Sequence, residues 1–342
     1  MCGIVGVLQP SGAAPLDAVR AALPMLDHRG PESALARGFP IGSGSCAIGH
    51  TRLRIIDTSE RADQPLANED GTVWVAFNGE LYNHAELRRE LQRAGHDFVT
   101  ASDTEALVHL YEHVGGDAQA LLRRLRGMYA FVLVDQTRGR VVLARDRLGI
   151  KPLYLARTRT GGLAFASEAR ALARSGLVPC GPDSVSIFSY LVWGSVQGPG
   201  TAFAGIEELE PGSFVAWTPQ GQERRTWWTP TFDASSPAEG AETAVRDALT
   251  DSVQRHLVAD REVGLFLSGG VDSRVVAAAS RGASLRSLTV TFADTGRDEG
   301  ASARDQARRF GLRHEEVPIS GAELAAVIDD VACAMDQPTT TA

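Results

Sequence analysis

From the N-terminus to about residue 215, apolar positions gather in short runs: MCGIVGVL, SCAIGHTRLRII, TVWVAFNGEL, MYAFVLVD, RVVLARD and LAFASE. They are rich in β-branched and aromatic side chains and bounded by turn residues, which predicts strands. Two stretches repeat at helical spacing instead. NHAELRRELQRAG places Asn83 at an N-cap, Glu86 three residues on, and Gly95 as terminator. SDTEALVHLYEHVGG spaces Ser102 and Glu105 as a capping box, with Ala106, Leu107, Leu110, Tyr111 and Val114 on one face. Strands in runs with helices set apart predict a layered α+β domain over residues 1–217.

The pattern changes at residue 218. Residues 218–240 are dense in Pro, Gly, Ser and Thr, with no apolar period, and read as a linker. Over 241–342 the order becomes helix (AETAVRDALTDSVQRHL), strand (VGLFL), glycine turn, helix (SRVVAAAS), strand (LRSLTVTF), helix (ASARDQARRFG) and a last helix around AELAAVIDDVACAM. Alternating strands and helices predict a parallel sheet of about two strands, covered by helices.

Composition narrows the function. A chain of 342 residues allows about two domains. Its formal net charge of −8 disfavours a generic nucleic-acid or anionic-membrane binder. Cys2, Cys46, Cys180 and Cys333 form no CxxC pair and have no histidine at metal-ligand spacing. This argues against a disulfide framework or a structural zinc, and fits a reducing cytoplasm. No signal peptide and no apolar run of ~18 residues is expected.

Two places carry chemistry. Cys2 follows the initiator methionine, and removal of Met1 would put a thiol and a free α-amine on one residue, as a nucleophile with its base. By itself the position reads first as a small hydrophobe in a first strand. Downstream, GLFLSGGVDSRVV runs from an apolar strand through Ser268-Gly269-Gly270-Val271-Asp272-Ser273 into a helix. Such a turn presents backbone N–H groups and a helix N-terminus to phosphate. It lacks the GKS/GKT end of a Walker A and is not GxGxxG, so no dinucleotide is implied.

The SGGVDS loop resembles the pyrophosphate loop of the ATP pyrophosphatases. That resemblance implies that Ser268, Gly269, Gly270, Asp272 and Ser273 hold the pyrophosphate of ATP and its Mg²⁺, with Leu267 and Val290 beside the adenosine. Arg274 stands where the usual motif has a second serine. With MCGIVGV, HRGPES (28–33), GHTRLRIID (49–57), QPL (64–66), FNGELYNHAELR (77–88), SDTEAL (102–107), LRGMYAF (125–131), ARDRLGIKPLY (144–154) and FASEARAL (165–172) in order before it, the whole chain resembles the glutamine-hydrolysing asparagine synthetases. The resemblance implies a four-layer αββα N-terminal-nucleophile hydrolase sandwich, followed by a partial α/β nucleotide-binding domain. It also implies glutamine, aspartate and ATP as substrates, and is compatible with a homodimer.

The resemblance implies residue roles as well. Cys2 attacks the glutamine amide, and Asn78 and Gly79 form the oxyanion hole. Read alone, Asn-Gly is a hairpin turn. Arg52 is implied to hold the glutamine α-carboxylate and Asp103 the α-ammonium, with Leu53, Arg54, Ile55, Ile56 and Glu80 beside them. The Arg54 side chain reads on its own as a surface-strand arginine, and His28 and His50 read as structural. Family members continue with a second glycine-acid loop, so the 342-residue chain is expected to hydrolyse glutamine without making asparagine. An amide ligase acting on another carboxylate, and a stand-alone glutaminase or ammonia donor, remain as alternatives.

Overall fold

The computed structural model describes residues 1–232, 239–292 and 300–339. The chain forms two units, Met1–Pro230 with Met335–Ala342, and Thr231–Ala334. Among the described residues no helix is long and apolar enough to cross a membrane.

The first unit holds two six-stranded antiparallel sheets. One runs Ile206–Glu208, Tyr154–Arg157, Leu163–Ala166, Gly3–Gln9, Gly44–Arg52, Ser33–Ile41. The other runs Gly221–Thr226, Ser213–Thr218, Arg140–Arg145, Gly127–Asp135, Val73–Leu81, Leu66–Ala67. Strand alternation explains the apolar runs. Ile4 and Leu8 join Ile48, Ala76, Val132 and Val134 in the core between the sheets, while Val5 and Val7 pack on the other face with Val19, Leu26 and Leu172. Val75, Phe77, Phe131 and Leu133 likewise face outward, onto Leu87, Leu107 and Leu121 of the helices His84–Arg93, Asp103–His113 and Ala118–Arg124. Strands buried on both faces lose the apolar–polar alternation and read as continuous hydrophobic runs. The result is the expected αββα sandwich.

Some local expectations change. The strand Gly221–Thr226 lies inside the stretch read as linker and pairs with Ser213–Thr218. Its residues GQERRT are all exposed at a sheet edge, where polar side chains carry no burial penalty and leave no apolar signal. Asn83 precedes its helix without a capping bond. Its amide instead bridges Arg124 and Arg126, donating to the Arg124 carbonyl and accepting from the Arg126 N–H. Ser102 caps Thr104, but Glu105 reaches the N–H groups of Val99 and Thr100 rather than closing a box.

The second unit has three parallel strands rather than about two, in the order Gly264–Phe266, Arg286–Phe292, Arg313–Ile319. The third, RHEEVPI, is an edge strand whose charged residues hide it. The final helix is two short ones, Gly321–Ala326 and Ile328–Ala334. The helices Val271–Ala279 and Gly300–Phe310 bury Ala277, Ala303 and Ala307 with Leu267 in a small core.

Candidate active site

Cys2 immediately precedes the strand Gly3–Gln9 and is held by its backbone. Arg29 donates from Nε to the Cys2 carbonyl at 3.0 Å, and its Nη1 donates to Glu168 at 3.0 Å. Gly3 fits because a Cβ there would meet Thr51 Oγ1 at 2.5 Å and Leu26 Cβ at 2.8 Å. The thiol lies 3.8 Å from the Leu53 carbonyl, and burial pushes it above its ordinary range.

The thiol opens on a cavity of about 80 Å³, lined by Cys2, Arg52, Leu53, Ile55, Ile56, Asn78, Gly79, Glu80 and Asp103 together with Met1 and five further residues treated below. Thus every glutamine-site residue expected from the sequence except Arg54 meets in one place. Arg54 is bound elsewhere, its Nη2 to Asp63 at 2.8 Å and its backbone N–H to Glu32 at 2.6 Å.

Asn78 and Gly79 occupy the middle of the strand Val73–Leu81, opposite Ala130 and Tyr129, so the pair is not a hairpin turn. Both polar atoms of the Asn78 side chain are buried and without a hydrogen-bond partner. Gly79 is required by close approach, since a Cβ would lie 2.3 Å from the Met128 carbonyl. Its N–H direction follows from strand parity. Phe77 N–H donates to Gln64 Oε1 at 2.6 Å and Leu81 N–H to Asp103 Oδ2 at 2.9 Å. Tyr129, opposite Gly79, exchanges both its backbone groups with Asp146, accepting from the Asp146 N–H and donating to its carboxylate. Gly79 and Tyr129 are therefore a non-hydrogen-bonded pair, and the Gly79 N–H points out of the ladder on the side of Gln64 and Asp103.

Asp103 lies in the first turn of its helix, buried, with burial pushing its carboxyl above the ordinary range. Arg52 is also buried, but its terminal nitrogens are engaged. Nη1 donates to Ser59 O and Asp63 Oδ1, and Nη2 to Ile56 O and Asp57 O. Those four bonds consume its terminal N–H groups and tie down the loop 56–59. A carboxylate here would meet the remaining Nε–H or displace one of these bonds.

Sequence reasoning missed five lining residues: Gln64, Phe77, Ser102, Thr104 and Lys151. Gln64 bridges the strand to the helix, its Nε2 donating to Thr104 Oγ1 at 3.2 Å. Burial holds the Lys151 ammonium below its ordinary range. Both lie in motifs already noted, QPL and ARDRLGIKPLY, but nothing in their spacing reveals a shared cavity. His28 and His50 lie outside the cavity lining and are tied to neighbouring groups. His50 is buried, 3.0 Å from the Phe77 carbonyl, its pKa lowered to about 4 by burial, and His28 bonds Glu168 at 2.7 Å.

In the second unit, Ser268-Gly269-Gly270 links the strand Gly264–Phe266 to the helix Val271–Ala279. The Ser268 and Ser273 hydroxyls lie 3.0 Å apart, and Gly270 N–H donates to Ser268 Oγ at 3.2 Å. Asp272 is exposed in the first helical turn, Leu267 is buried, and Val290 is exposed on the next strand. Arg274 donates weakly to the Gly269 carbonyl at 3.4 Å. A phosphate would replace these internal bonds at a helix N-terminus.

Comparison with known proteins follows the same division. The glutamine amidotransferase domain model matches residues 1–228, and the asparagine synthase model matches residues 244–342. "Asparagine synthetase [glutamine-hydrolyzing] 1" of Bacillus subtilis is 34% identical, over 99% of this chain and 53% of the relative. The asparagine synthetase of Sandersonia aurantiaca is 33% identical, over 97% and 58%. "Amidase chyE" of Penicillium rubens is 32% identical, over 96% and 52%. The chain thus spans about half the length of the curated relatives it matches. A solved structure described as the allosteric regulatory enzyme of purine biosynthesis shares the fold, at 19% identity with a TM-score of 0.50, over 92% of this chain and 65% of that one. With the glutamine amidotransferase domain model matching two-thirds of its length, and a segment after it that is similar to the asparagine synthases, the chain belongs to the glutamine amidotransferase family.

Proposed function

We propose that the first unit hydrolyses glutamine to glutamate and ammonia at Cys2, and that the second serves ATP-dependent amidation of aspartate by that ammonia. The buried, unpartnered Asn78 amide in the cavity that Cys2 lines carries the reading: a buried donor without an acceptor suits a charge that exists only during reaction. Met1 lines the same cavity, so its removal would both free the Cys2 α-amine and make room for substrate. The Cys2 sulfur adds to the amide carbon while its proton passes to the α-amine, directly or through a water. The oxyanion takes hydrogen bonds from Asn78 Nδ2–H and Gly79 N–H. The C–N bond then breaks, ammonia leaves with the returned proton, and water hydrolyses the thioester to glutamate.

Asp103 is assigned to the glutamine α-ammonium. Asp103→Asn is expected to raise KM for glutamine roughly ten- to a hundredfold with little change in kcat, since the ion pair is present in ground and transition states alike. Initial-rate measurements of glutamate release decide it, and a fall in kcat at unchanged KM would remove the assignment.

ATP is assigned to the loop 267–273, with Ser268, Gly269, Gly270 and Ser273 at the pyrophosphate, Asp272 toward Mg²⁺, and Leu267 and Val290 at the adenosine. ATP would activate the acceptor carboxylate as an acyl-adenylate for attack by ammonia. With four free cysteines, the cytoplasm is the proposed setting. The test is a paired assay. Glutamate release from glutamine is the expected result, and none from a chain lacking Met1 overturns the glutaminase reading. AMP and amide formation are measured in parallel with aspartate, Mg²⁺-ATP and ammonium. Because one relative carries the name amidase, other carboxylates are assayed beside aspartate, and AMP release with one of them alone would reassign the acceptor.

A further inference from the structure

The turn after the helix His84–Arg93, the far end of the helix Asp103–His113 and the turn before the strand Val73–Leu81 converge on the outer face of the first unit. They bring together Glu69, His96, His109 and Glu112, with one ligating atom of each within 4.8 Å of all the others. Glu69 Oε2 lies 3.1 Å from His109 Nδ1, Glu69 Oε1 3.3 Å from His96 Nδ1, and Glu112 Oε2 4.0 Å from His109 Nδ1. Donors around a tetrahedral ion with bonds of about 2.0–2.1 Å sit roughly 3.3 Å apart. The two histidine–Glu69 distances are already near that length, each through a different Glu69 oxygen, and the remaining donors lie within 4.8 Å, so side-chain rotation would bring the four onto one ion.

The second observation concerns His109. It is only 1% exposed, and neither ring nitrogen makes a hydrogen bond. Nδ1 is close to two carboxylates yet aligned for a bond to neither, and Glu112 Oε2 is itself buried without a partner. Behind the ring, Nε2 faces Glu105 Oε1 at 3.7 Å. Glu105 is fixed in turn by the N–H groups of Val99 and Thr100 and by the Thr100 hydroxyl. A carboxylate behind a histidine is the arrangement that orients imidazole toward a metal.

We propose that Glu69, His96, His109 and Glu112 form a binding site for a divalent transition metal of the zinc class, with Glu105 holding His109. Two imidazoles and two carboxylates without a thiolate suit Zn²⁺ better than softer Cu(I) or harder Mg²⁺. The ion would clamp two loops to the helix whose first turn carries Asp103. The site departs from the absence of zinc expected from the sequence, because its four ligands are recruited from three elements rather than one spaced motif. It is independent of the glutamine reading.

The competing arrangement is metal-free, with the histidines paired directly to the same carboxylates. In the test, the chain is stripped with chelator, dialysed against micromolar zinc chloride, and analysed for bound metal. One equivalent is expected, lost in Glu112→Gln and in His96→Ala. The His96 change sits in a partly exposed turn, and circular dichroism verifies that the variant is folded. Cobalt substitution should give tetrahedral d–d absorption without a sulfur charge-transfer band. No retained zinc, retention undiminished in both folded variants, or a sulfur charge-transfer band would overturn the site.

Discussion

Cys2→Ala is expected to lower glutamate release by roughly 10⁴-fold or more, because no thioester can form and the remaining groups act only as a binding shell. The fold should survive. The side chain makes one weak hydrogen bond, 3.8 Å to the Leu53 carbonyl, while Arg29 holds the residue through its backbone. A glutamine-like electrophile such as diazo-oxonorleucine should therefore label Cys2 alone, as read by mass spectrometry of the mature chain. Cys46 is fully buried, and burial drives its thiol far above the ordinary range. Cys180 and Cys333 are exposed, and neither lines the cavity that Cys2 lines. Label on any of these three with loss of activity, or near-normal turnover by Cys2→Ala, would displace Cys2 as nucleophile.

Asn78→Ala should lower kcat by roughly 10²–10³-fold, the cost of one oxyanion donor. KM should change little, since the proposed bond strengthens only as charge develops on oxygen. The control is thermal unfolding. The Asn78 side chain has no partner in the resting site, so its truncation severs no hydrogen bond. A kcat within about threefold of the parent would show that the amide serves packing and not the reaction.

The site was readable where chemistry and local order coincide. Cys2, Asp103 and the run from Arg52 to Ile56 each lie in an ordered motif, and all but Arg54 line one cavity. The pair Asn78-Gly79 shows the limit of local reading. Its letters favour a turn, and what makes it strand is the flanking pattern of Val75, Phe77 and Leu81, buried against the helices. Arg52 and Arg54 show the same limit at the level of charge. Both belong to one motif, yet Asp63 takes both guanidinium groups, a partner no spacing rule supplies. The strands Ser33–Ile41, Gly221–Thr226 and Arg313–Ile319 escaped because edge strands bury too little to impose an apolar pattern. Gln64 and Lys151 escaped because their roles exist only once separate loops share a cavity.

The lonely amide of Asn78 also bears on how this protein can change over generations. A buried polar group without a partner weakens a fold by about 1–3 kcal/mol, a large share of a domain's total of about 5–15 kcal/mol. Apolar replacements of similar size remove that burden, so drift or laboratory selection for robustness alone favours them. Only continued demand for the proposed glutamine hydrolysis opposes that pull. A lineage released from that demand would keep the sandwich, gain heat resistance, and lose its chemistry first at this strand.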